Sequence, residues 1–385
     1  MKFTTSRVLP AGVAAASVLL ALSGCSSGGG GNAAKEGSSP NQSANANVSA
    51  AEANTSKYSQ QPTDIGITTP LAHRPTGKRI DFVQCGLGPC KEVGDNLVQP
   101  LKMLGITLKR IPAGLTPESY KAGFDQAVQD RPDGVISTAI SAMTVATEIN
   151  QLEALKIPTV IAAVSGTSNS PLLALPLGDA VSTLIGKIGA DLIIQQGGGK
   201  NVQVADLTFP VFDFEGPQLI GFQGQFTDHC TNCKIQQIVN QPTDIGQAVD
   251  TKTVSALQAN SNIKYVWGSF GAALTGVGQA LNVAGVSGVS QFSQGGTASN
   301  LANIKAGTET ASVVVSFSYV AYVEANDMAQ LLTGGSVSGI NDASLPWFYI
   351  VNKNNLNFDI TKNPEGPGPV NFQSQFAKLW GLPSS

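Results

Sequence analysis

Five cysteines and two histidines are the residues of this 385-residue chain whose types and spacing allow chemistry. Four of the cysteines form two close pairs, Cys85 with Cys90 in CGLGPC and Cys230 with Cys233 in HCTNC. Each pair can close a local disulfide. His229 adds a third zinc ligand beside the second pair, and CxxC is also a thiol-redox motif, so three chemistries are open.

The amino terminus bears on this choice because it indicates export. Two basic residues precede an apolar run over residues 8–22, which is the layout of a secretory signal. The run ends in Leu-Ser-Gly-Cys, which is similar to a bacterial lipobox. This similarity implies a diacylglycerol in thioether linkage on Cys25 and removal of residues 1–24. An ordinary signal peptide with a chance cysteine is the alternative.

Outside the reducing cytoplasm two structural disulfides are the default, and we expect Cys85–Cys90 and Cys230–Cys233. The CxxC motif lies between a predicted helix and a predicted strand, and not at the start of a helix, where a redox thiolate is stabilised. A zinc site that includes His229 stays as the alternative, and no cofactor is expected.

Catalysis and nucleic-acid binding find little support in the sequence. The net charge is −3 and only 13% of residues are charged, without a basic bias. There is no GxSxG, no P-loop and no GxGxxG after a predicted strand. His73 lies in a tether-like region and His229 beside a cysteine pair, which disfavours a His-based triad. We therefore expect a protein that is not an enzyme.

Residues 26 to about 75 are rich in Gly, Ser, Asn and Ala, as in SSGGGGNAAKEGSSPNQSANANVSAAEAN. Such a tract buries too little apolar surface to offset its ordering entropy. We interpret residues 25–77 as a flexible, lipid-anchored tether ahead of the folded body.

From residue 78 to residue 352, predicted strands and helices alternate. The helix at 116–130 has Thr116 as its cap and Pro117 at its first position. The strand at 157–164 is almost wholly apolar, as buried parallel strands are. Repeated βα units predict an α/β fold, and about eleven strands favour two sheets in two lobes over a single sheet.

One turn of this series lies where ligands bind in α/β proteins, at the carboxyl end of a strand. In YVWGSFGAALTGVGQAL, residues 265–281, a strand is followed by Ser269 and Phe270 and then by a helix. The turn carries no acidic, basic or amide side chain, which is unusual for a polar ligand site.

The chain from about residue 78 to 351 resembles a type I periplasmic binding protein of the ribose-binding kind. The resemblance is carried by KRIDFVQC, MLGITLKRI, YKAGFDQAVQDRPDGVIST, INQLEALKIPTVIAAV, GDAVSTLIGKIGADLI, IKYVWGSFGAALTGVGQALNVAG and VSQFSQGGTASNLANIKAG, in the order of that family. It implies two Rossmann-like lobes with a ligand cleft between them and a three-segment hinge. The crossings are expected near Pro176, near Ser316 and from Asp342 to Pro346.

The implied domains follow from these crossings. Residues 78–176 plus 317–342 form an amino-terminal lobe, and residues 177–316 plus 346–352 form a carboxy-terminal lobe. Residues 353–385 are expected to be an irregular tail.

Several cleft positions depart from the sugar-binding pattern of the family. Ile140 and Ser293 stand where acids are expected, and Ser269-Phe270 stands where the family has an Asn-Asp pair. The arginine expected beyond the strand at 201–207 is absent. A buried sugar needs charged and amide groups to replace its lost hydrogen bonds to water. We therefore expect a ligand less polar than a simple sugar, with a sugar or polyol as the alternative.

The candidate ligand-binding residues lie at predicted strand ends and turns. They are Gln84, Cys85, Ser137, Ile140, Ser141, Ser165, Phe209, Phe212, Trp267, Ser269, Phe270 and Gln294. We interpret Phe214 as a core residue, whereas Asp213 and Glu215 are either ligand contacts or a solvated rim.

The resemblance implies that the protein captures a small molecule for the permease subunits of an ABC importer. We expect an exported monomer on the extracytoplasmic face of the membrane, held there by the lipid alone. A ligand-sensing lipoprotein that docks a receptor is the alternative, and no nucleic-acid partner is expected.

Overall fold

The computed structural model describes residues 40–335, 337 and 344–383. Over this part of the chain the backbone forms two separate sheets of five and six strands. The α/β fold and the division into two sheets are as the alternation of strands and helices predicts. No helix in the described ranges is long and apolar enough to span a bilayer.

The first lobe is built on a five-stranded parallel sheet with the order β2-β1-β3-β4-β5. Its strands are β1 (Arg79–Gln84), β2 (Thr107–Pro112), β3 (Gly134–Thr138), β4 (Thr159–Ala162) and β5 (Leu173–Ala174). Its helices are α2 (Gly88–Asn96), α3 (Val98–Met103), α4 (Pro117–Asp130), α5 (Ala146–Ala154) and α11 (Phe317–Leu332). Thr116 caps α4 in a capping box with Ser119, which fixes the start of that helix.

The second lobe is built on a six-stranded sheet with the order β11-β10-β9-β8-β6-β7, in which only β11 is antiparallel to its neighbour. Its strands are β6 (Gln203–Thr208), β7 (Lys234–Val239), β8 (Tyr265–Gly268), β9 (Ser290–Gly295), β10 (Ala311–Val315) and β11 (Phe348–Asn352). Its helices are α6 (Asp179–Gly197), α7 (Glu215–His229), α8 (Ala248–Ala259), α9 (Val277–Val283) and α10 (Ala298–Ala306).

Glycines bring α6 and α7 unusually close together. A Cβ on Gly186 would lie 2.0 Å from the Gln218 carbonyl oxygen, and one on Gly221 would lie 2.0 Å from the Thr183 carbonyl oxygen. Any larger residue would force the two helices apart. This close packing fixes the amino-terminal end of α6, which borders the cleft between the lobes.

Three connections of the chain join the part built on the first sheet to the part built on the second. One connection runs from β5 to α6, a second from β10 to α11, and a third from α11 to β11. The first contains Pro176 and the second contains Ser316. In the third, Pro346 is described, whereas Asp342 lies outside the described residues.

The prediction of a flexible tether is wrong for residues 40–77. This stretch begins with the helix α1 (Pro40–Ser56), which packs against α6. Ala51 is fully buried there, and Asn54 Nδ2 donates a hydrogen bond to Asp191 Oδ2 at 3.1 Å. The amino-acid composition does not predict this contact, because α1 packs on α6 through small side chains and amides and therefore needs few large apolar residues.

The arm, residues 57–77, follows α1 and continues against both lobes. The ring of Tyr58 packs on Phe348 of β11, with 5.0 Å between the ring centroids. Tyr319 of α11 donates its hydroxyl to the Ile65 carbonyl oxygen at 2.7 Å. The arm is therefore an ordered part of the folded body.

The tail, residues 353–383, is also more regular than predicted. It contains the helix α12 (Phe372–Leu379), which packs on α11 of the first lobe. Trp380 stacks on Tyr322 with 5.8 Å between ring centroids, and its Nε1 donates to Asn326 Oδ1 at 3.1 Å. The spacing of the apolar residues in FQSQFAKLW is typical of a helix, so the prediction of an irregular tail is wrong for this segment.

Candidate functional site

A cavity of ≈ 90 Å³ lies between the two lobes, where the carboxyl ends of strands from both sheets come together. The first lobe contributes turns after β1, β3 and β4, and the second lobe contributes turns after β6, β8 and β9. Open α/β sheets bind ligands at this end of their strands. The cavity is therefore the candidate binding site.

The first-lobe wall of the cavity is a loop closed by the Cys85–Cys90 disulfide. Cys85 follows β1 and is buried in the core, whereas Leu87, Pro89 and Cys90 face the cavity. Leu87 also packs against the apolar cluster of the second lobe that contains Phe270. The disulfide thus holds a loop whose apolar side chain reaches the opposite lobe.

Three non-glycine residues of the cavity lining have a left-handed backbone. Ala139, Ala163 and Leu177 have φ values of 57°, 55° and 58°, and they follow β3, β4 and β5. Their turns are fixed by hydrogen bonds from Ala139 N to Ala162 O at 2.9 Å and from Ala163 N to Pro176 O at 3.0 Å. Positive φ strains a residue with a side chain, and such strain concentrates at functional sites.

The second-lobe wall of the cavity is aromatic. Phe212, Phe214 and Phe270 line it, and the Phe270 centroid lies 5.5 Å from that of Phe212 and 6.5 Å from that of Phe214, both edge to face. Phe209 packs behind Phe270 at 4.8 Å between centroids. Edge-to-face packing holds these rings in fixed positions and presents a rigid apolar surface.

Polar groups on the cavity wall are few, and no lining residue carries a charge. Gln294 and Ser182 line the cavity, and neither side chain makes a hydrogen bond with another described residue. Their polar atoms are therefore open to a solute. Gln218 also lines the cavity, but its Nε2 already donates to the Ser269 carbonyl oxygen at 3.0 Å.

A pair of buried acids lies behind the aromatic wall. Glu215 Oε1 accepts a hydrogen bond from the Ser269 hydroxyl at 2.5 Å, and Oε2 accepts one from Phe209 N at 2.5 Å. Burial raises the pKa of Glu215 to about 7, although these two hydrogen bonds oppose the rise. Burial, together with the charge of Glu215, raises the pKa of Asp206 well above its usual range. Glu215 is thus neither a ligand contact nor a solvated rim, because it anchors the turn that carries the aromatic wall.

Ser165 joins the two lobes beside the cavity. It follows β4 in the first lobe, and its hydroxyl donates to Asp179 Oδ1 of α6 at 2.5 Å. Its backbone N–H donates to Asp213 Oδ1 at 3.1 Å. Both acids belong to the second lobe, so these hydrogen bonds hold the lobes together on this side of the cleft.

The structure divides the predicted ligand-binding residues into three groups. Phe212, Phe270 and Gln294 line the cavity, and Cys90 lines it in place of its disulfide partner. Ser165 lies beside the cavity as a contact between the lobes. The residues that do not line the cavity are Gln84, Cys85, Ser137, Ile140, Ser141, Phe209, Trp267 and Ser269.

Strand alternation explains the misplaced residues of the first lobe. The Ser137 hydroxyl donates to the Val83 carbonyl oxygen at 2.9 Å inside the sheet, and the next residue, Thr138, faces the cavity instead. Ile140 lies in the first-lobe core because Ala139 turns the chain through a left-handed conformation. The predictions for Ser137 and Ile140 are therefore corrected.

Packing against α6 and α7 explains the misplaced residues of the second lobe. Trp267 stacks on Phe222 at 5.5 Å beneath these helices, where Gly189 leaves room for its ring. Phe209 is fully buried in the core, whereas Phe214, interpreted as a core residue, faces the cavity. The sequence places these residues on turns but does not show which way each side chain points.

Other lining residues carry weaker signals in the sequence. Phe317 and Leu177 directly follow the crossings expected near Ser316 and Pro176, and residues at a hinge face the cleft. Leu87 lies between the cysteines of the first pair. The expected hinge and the cysteine pair could have indicated that these residues line the cleft, whereas their residue types could not.

Neither cysteine pair is arranged for metal binding. Cys230 and Cys233 form a disulfide, which removes them as zinc ligands beside His229. Within the part of the chain that the structure describes, no cluster of three or more His, Cys, Asp or Glu side chains is placed to hold a metal ion.

A sequence model described as the periplasmic binding protein domain matches residues 90–336, which is more than half of the chain. A search of curated protein sequences finds no significant match.

Solved structures of similar fold include several solute-binding proteins. An ABC transporter solute-binding protein from Agrobacterium vitis with bound D-fucose is 18% identical, with a TM-score of 0.65 over 75% of this chain and 100% of that one. A sugar ABC transporter protein from Yersinia enterocolitica is 15% identical, with a TM-score of 0.66 over 80% and 96%. A chain of an XylFII–LytSN complex is 18% identical, with a TM-score of 0.63 over 73% and 99%.

Proposed function

Because the chain belongs to the periplasmic binding protein domain family, we propose that it captures one small uncharged solute in the cavity between its lobes and delivers it to the permease of an ABC importer. Members of this family bind and release, so the protein acts without a chemical step. The observation that carries the proposal is a cavity at the strand ends that is lined by both lobes and free of charged side chains.

The lining favours a solute that is largely apolar. Phe212, Phe214 and Phe270 form one wall. Leu87 lies on the opposite wall, and Leu177 lies at the hinge. Apolar area removed from water contributes roughly 25 cal/mol per Å². Each sugar hydroxyl buried here without a partner would cost about 1–3 kcal/mol. A compact ring with one or two polar atoms loses much less on entering the cavity.

Gln294 and Ser182 are the groups that we assign to those polar atoms. Both line the cavity, and neither is engaged with another described side chain or backbone group. The Gln294 amide offers a donor and an acceptor, and the Ser182 hydroxyl offers both from one atom. Two such groups orient a solute with few polar atoms but are too few for a monosaccharide.

A sugar or polyol is the second candidate, and the bound D-fucose in the Agrobacterium vitis protein favours it. In this case ordered water would have to bridge the hydroxyls to Gln294, Ser182 and backbone groups. Titration of the purified protein with cyclohexanol and, separately, with D-fucose distinguishes the two. Heat on binding D-fucose and none with cyclohexanol would support the sugar.

We also propose that Cys25 carries the lipid that keeps the binder near its permease, which raises its effective concentration there. This residue and the signal sequence lie outside the described residues. Replacing Cys25→Ser should move the protein from the membrane fraction to the soluble fraction, and unchanged membrane retention would contradict the proposal. A receptor is the alternative partner, and the XylFII–LytSN complex shows that one chain of similar fold forms a complex with another protein.

A further inference from the structure

Two segments connect the lobes in addition to the three hinge connections. One is the arm, residues 57–77, and the other is the tail, residues 353–383. The arm precedes the region of the family match, residues 90–336, and the tail follows it. The contacts of each segment show that it is bonded to both lobes.

The arm contacts the second lobe first. The Tyr58 carbonyl oxygen accepts a hydrogen bond from Ile350 N at 2.6 Å, which extends the pairing at the edge strand β11. Two further hydrogen bonds join the arm to the tail. The Ser59 carbonyl oxygen accepts one from Asn355 Nδ2 at 3.0 Å. Gln61 Nε2 donates to the Gly368 carbonyl oxygen at 2.7 Å.

The arm then crosses to the first lobe. Besides the bond from Tyr319 to Ile65, Gln330 Nε2 donates to the Thr69 carbonyl oxygen at 3.2 Å. Farther on, Gly77 N donates to the Gly105 carbonyl oxygen at 2.8 Å, just after α3. Within about 20 residues the arm is therefore bonded to β11, to α11 and to the end of α3.

The tail also crosses from the second lobe to the first as the chain proceeds. It leaves β11 in the second lobe, and Glu365 Oε1 accepts a hydrogen bond from Asn96 Nδ2 of α2 at 2.9 Å. α12 then packs on α11 through Trp380 and Tyr322. The arm and the tail are also joined to each other, since Val370 N donates to the Pro62 carbonyl oxygen at 2.7 Å.

We propose that the arm and the tail form a strap that limits the opening of the two lobes, so that the lobes stay close together even without a solute. Opening a hinge requires that a few connecting residues absorb the motion. Here the strap would also have to lose its bonds to one lobe before the lobes could separate widely. The contacts of Ser165 with Asp179 and Asp213 across the cleft show that the lobes are together in this structure.

The test measures the distance between the lobes directly, in the full chain with Cys25→Ser and without added solute. Spin labels are placed at Met143→Cys and Val211→Cys, two exposed positions after β3 and β6 on opposite sides of the cleft. The four remaining cysteines are held in disulfides. Pulsed electron paramagnetic resonance then gives the distribution of distances between the labels.

The strap is loosened with Tyr58→Ala/Gln61→Ala, which removes side-chain contacts of the arm with Phe348 and Gly368. The matched control is Asn47→Ala/Asn54→Ala, which removes two hydrogen bonds from α1 to the second lobe alone. If the first variant does not fold, Tyr319→Phe replaces it, because it deletes only the hydroxyl that bonds the arm.

We expect one narrow distribution for the parent chain and for the control, and a broader distribution shifted to longer distances for the loosened strap. A parent distribution as broad as that of the variant would overturn the proposal, and so would a variant distribution that matches the control. The labels report on the lobes without a solute, so this result is independent of which solute the protein binds.

Discussion

The Ser269 hydroxyl donates to Glu215 Oε1 at 2.5 Å, and this bond directs Ser269 away from the cavity. Phe270, the next residue, lines the cavity. Two adjacent residues of one turn thus have separate roles. Ser269 holds Glu215 and the first turn of α7 in place, and Phe270 forms part of the wall against which a solute packs.

Single substitutions in this turn should separate binding from stability. Phe270→Ala should weaken binding of cyclohexanol about tenfold or more, because it removes apolar contact area worth at least about 1.4 kcal/mol. Ser269→Ala should leave that affinity nearly unchanged but lower the free energy of unfolding by about 1–3 kcal/mol, since Glu215 stays buried with one partner fewer. Calorimetric titration and chemical unfolding measure the two effects. A larger loss of affinity in Ser269→Ala than in Phe270→Ala would show that the roles are reversed.

The two disulfides should differ in their effect on binding. Cys85→Ser/Cys90→Ser frees the loop that carries Leu87 and Pro89 on the cavity wall, so affinity for cyclohexanol should fall. The matched control is Cys230→Ser/Cys233→Ser, which opens a loop of similar size that does not line the cavity. Affinities are compared at a temperature at which both variants are folded. Equal affinities in the two variants would exclude a role of the first disulfide in shaping the site.

A larger side chain inside the cavity should prevent solute binding. Ala163 lines the cavity with φ 55°, so Ala163→Leu adds volume there without changing the backbone requirement. We expect it to abolish binding of cyclohexanol. Ala163→Gly is the control, because it relieves the left-handed strain and should raise the free energy of unfolding by about 1 kcal/mol while binding persists. Undiminished binding by Ala163→Leu would place the solute elsewhere.

Stability should fall as the pH rises through neutrality. Burial raises the pKa of Glu215 to about 7, of Glu309 to about 8 and of Glu324 to about 8, from an ordinary value of 4.5. The native state therefore holds protons that the unfolded chain loses above about pH 4.5. The stability that these groups contribute decreases as the pH rises from there, and it is gone once the pH exceeds their folded pKa values. Thermal unfolding should show a higher Tm at pH 5 than at pH 8.5. Glu309→Gln should flatten this dependence, and a parent Tm that rises over the same range would contradict the prediction.

The order of strands and helices in the two lobes could be predicted because each segment carries its own local signal. Apolar runs predict buried strands such as β4, and Thr116 with Pro117 predicts the start of α4. The hinge near Pro176 and Ser316 came from the resemblance to a family. None of these features depends on the direction of a single side chain.

The site was harder to predict because it does depend on such directions. The left-handed turn at Ala139 places Ile140 in the core. The hydrogen bond to Glu215 directs the Ser269 side chain away from the cavity. Both effects arise from contacts between residues far apart in sequence or from backbone conformations that residue type does not reveal. The ordered helix α1 was missed for a related reason, since its stability comes from packing on α6 rather than from its own composition.

The most direct test of the proposed solute class is mass spectrometry of the small molecules released when the protein, purified without added solute, is denatured, followed by calorimetric titration of the identified compound. We expect an uncharged compound dominated by apolar carbon, whose binding is weakened by both Phe270→Ala and Gln294→Ala. Release of a monosaccharide or polyol that binds with micromolar affinity, and whose binding Phe270→Ala does not change, would contradict the assignment of a largely apolar solute to this cavity.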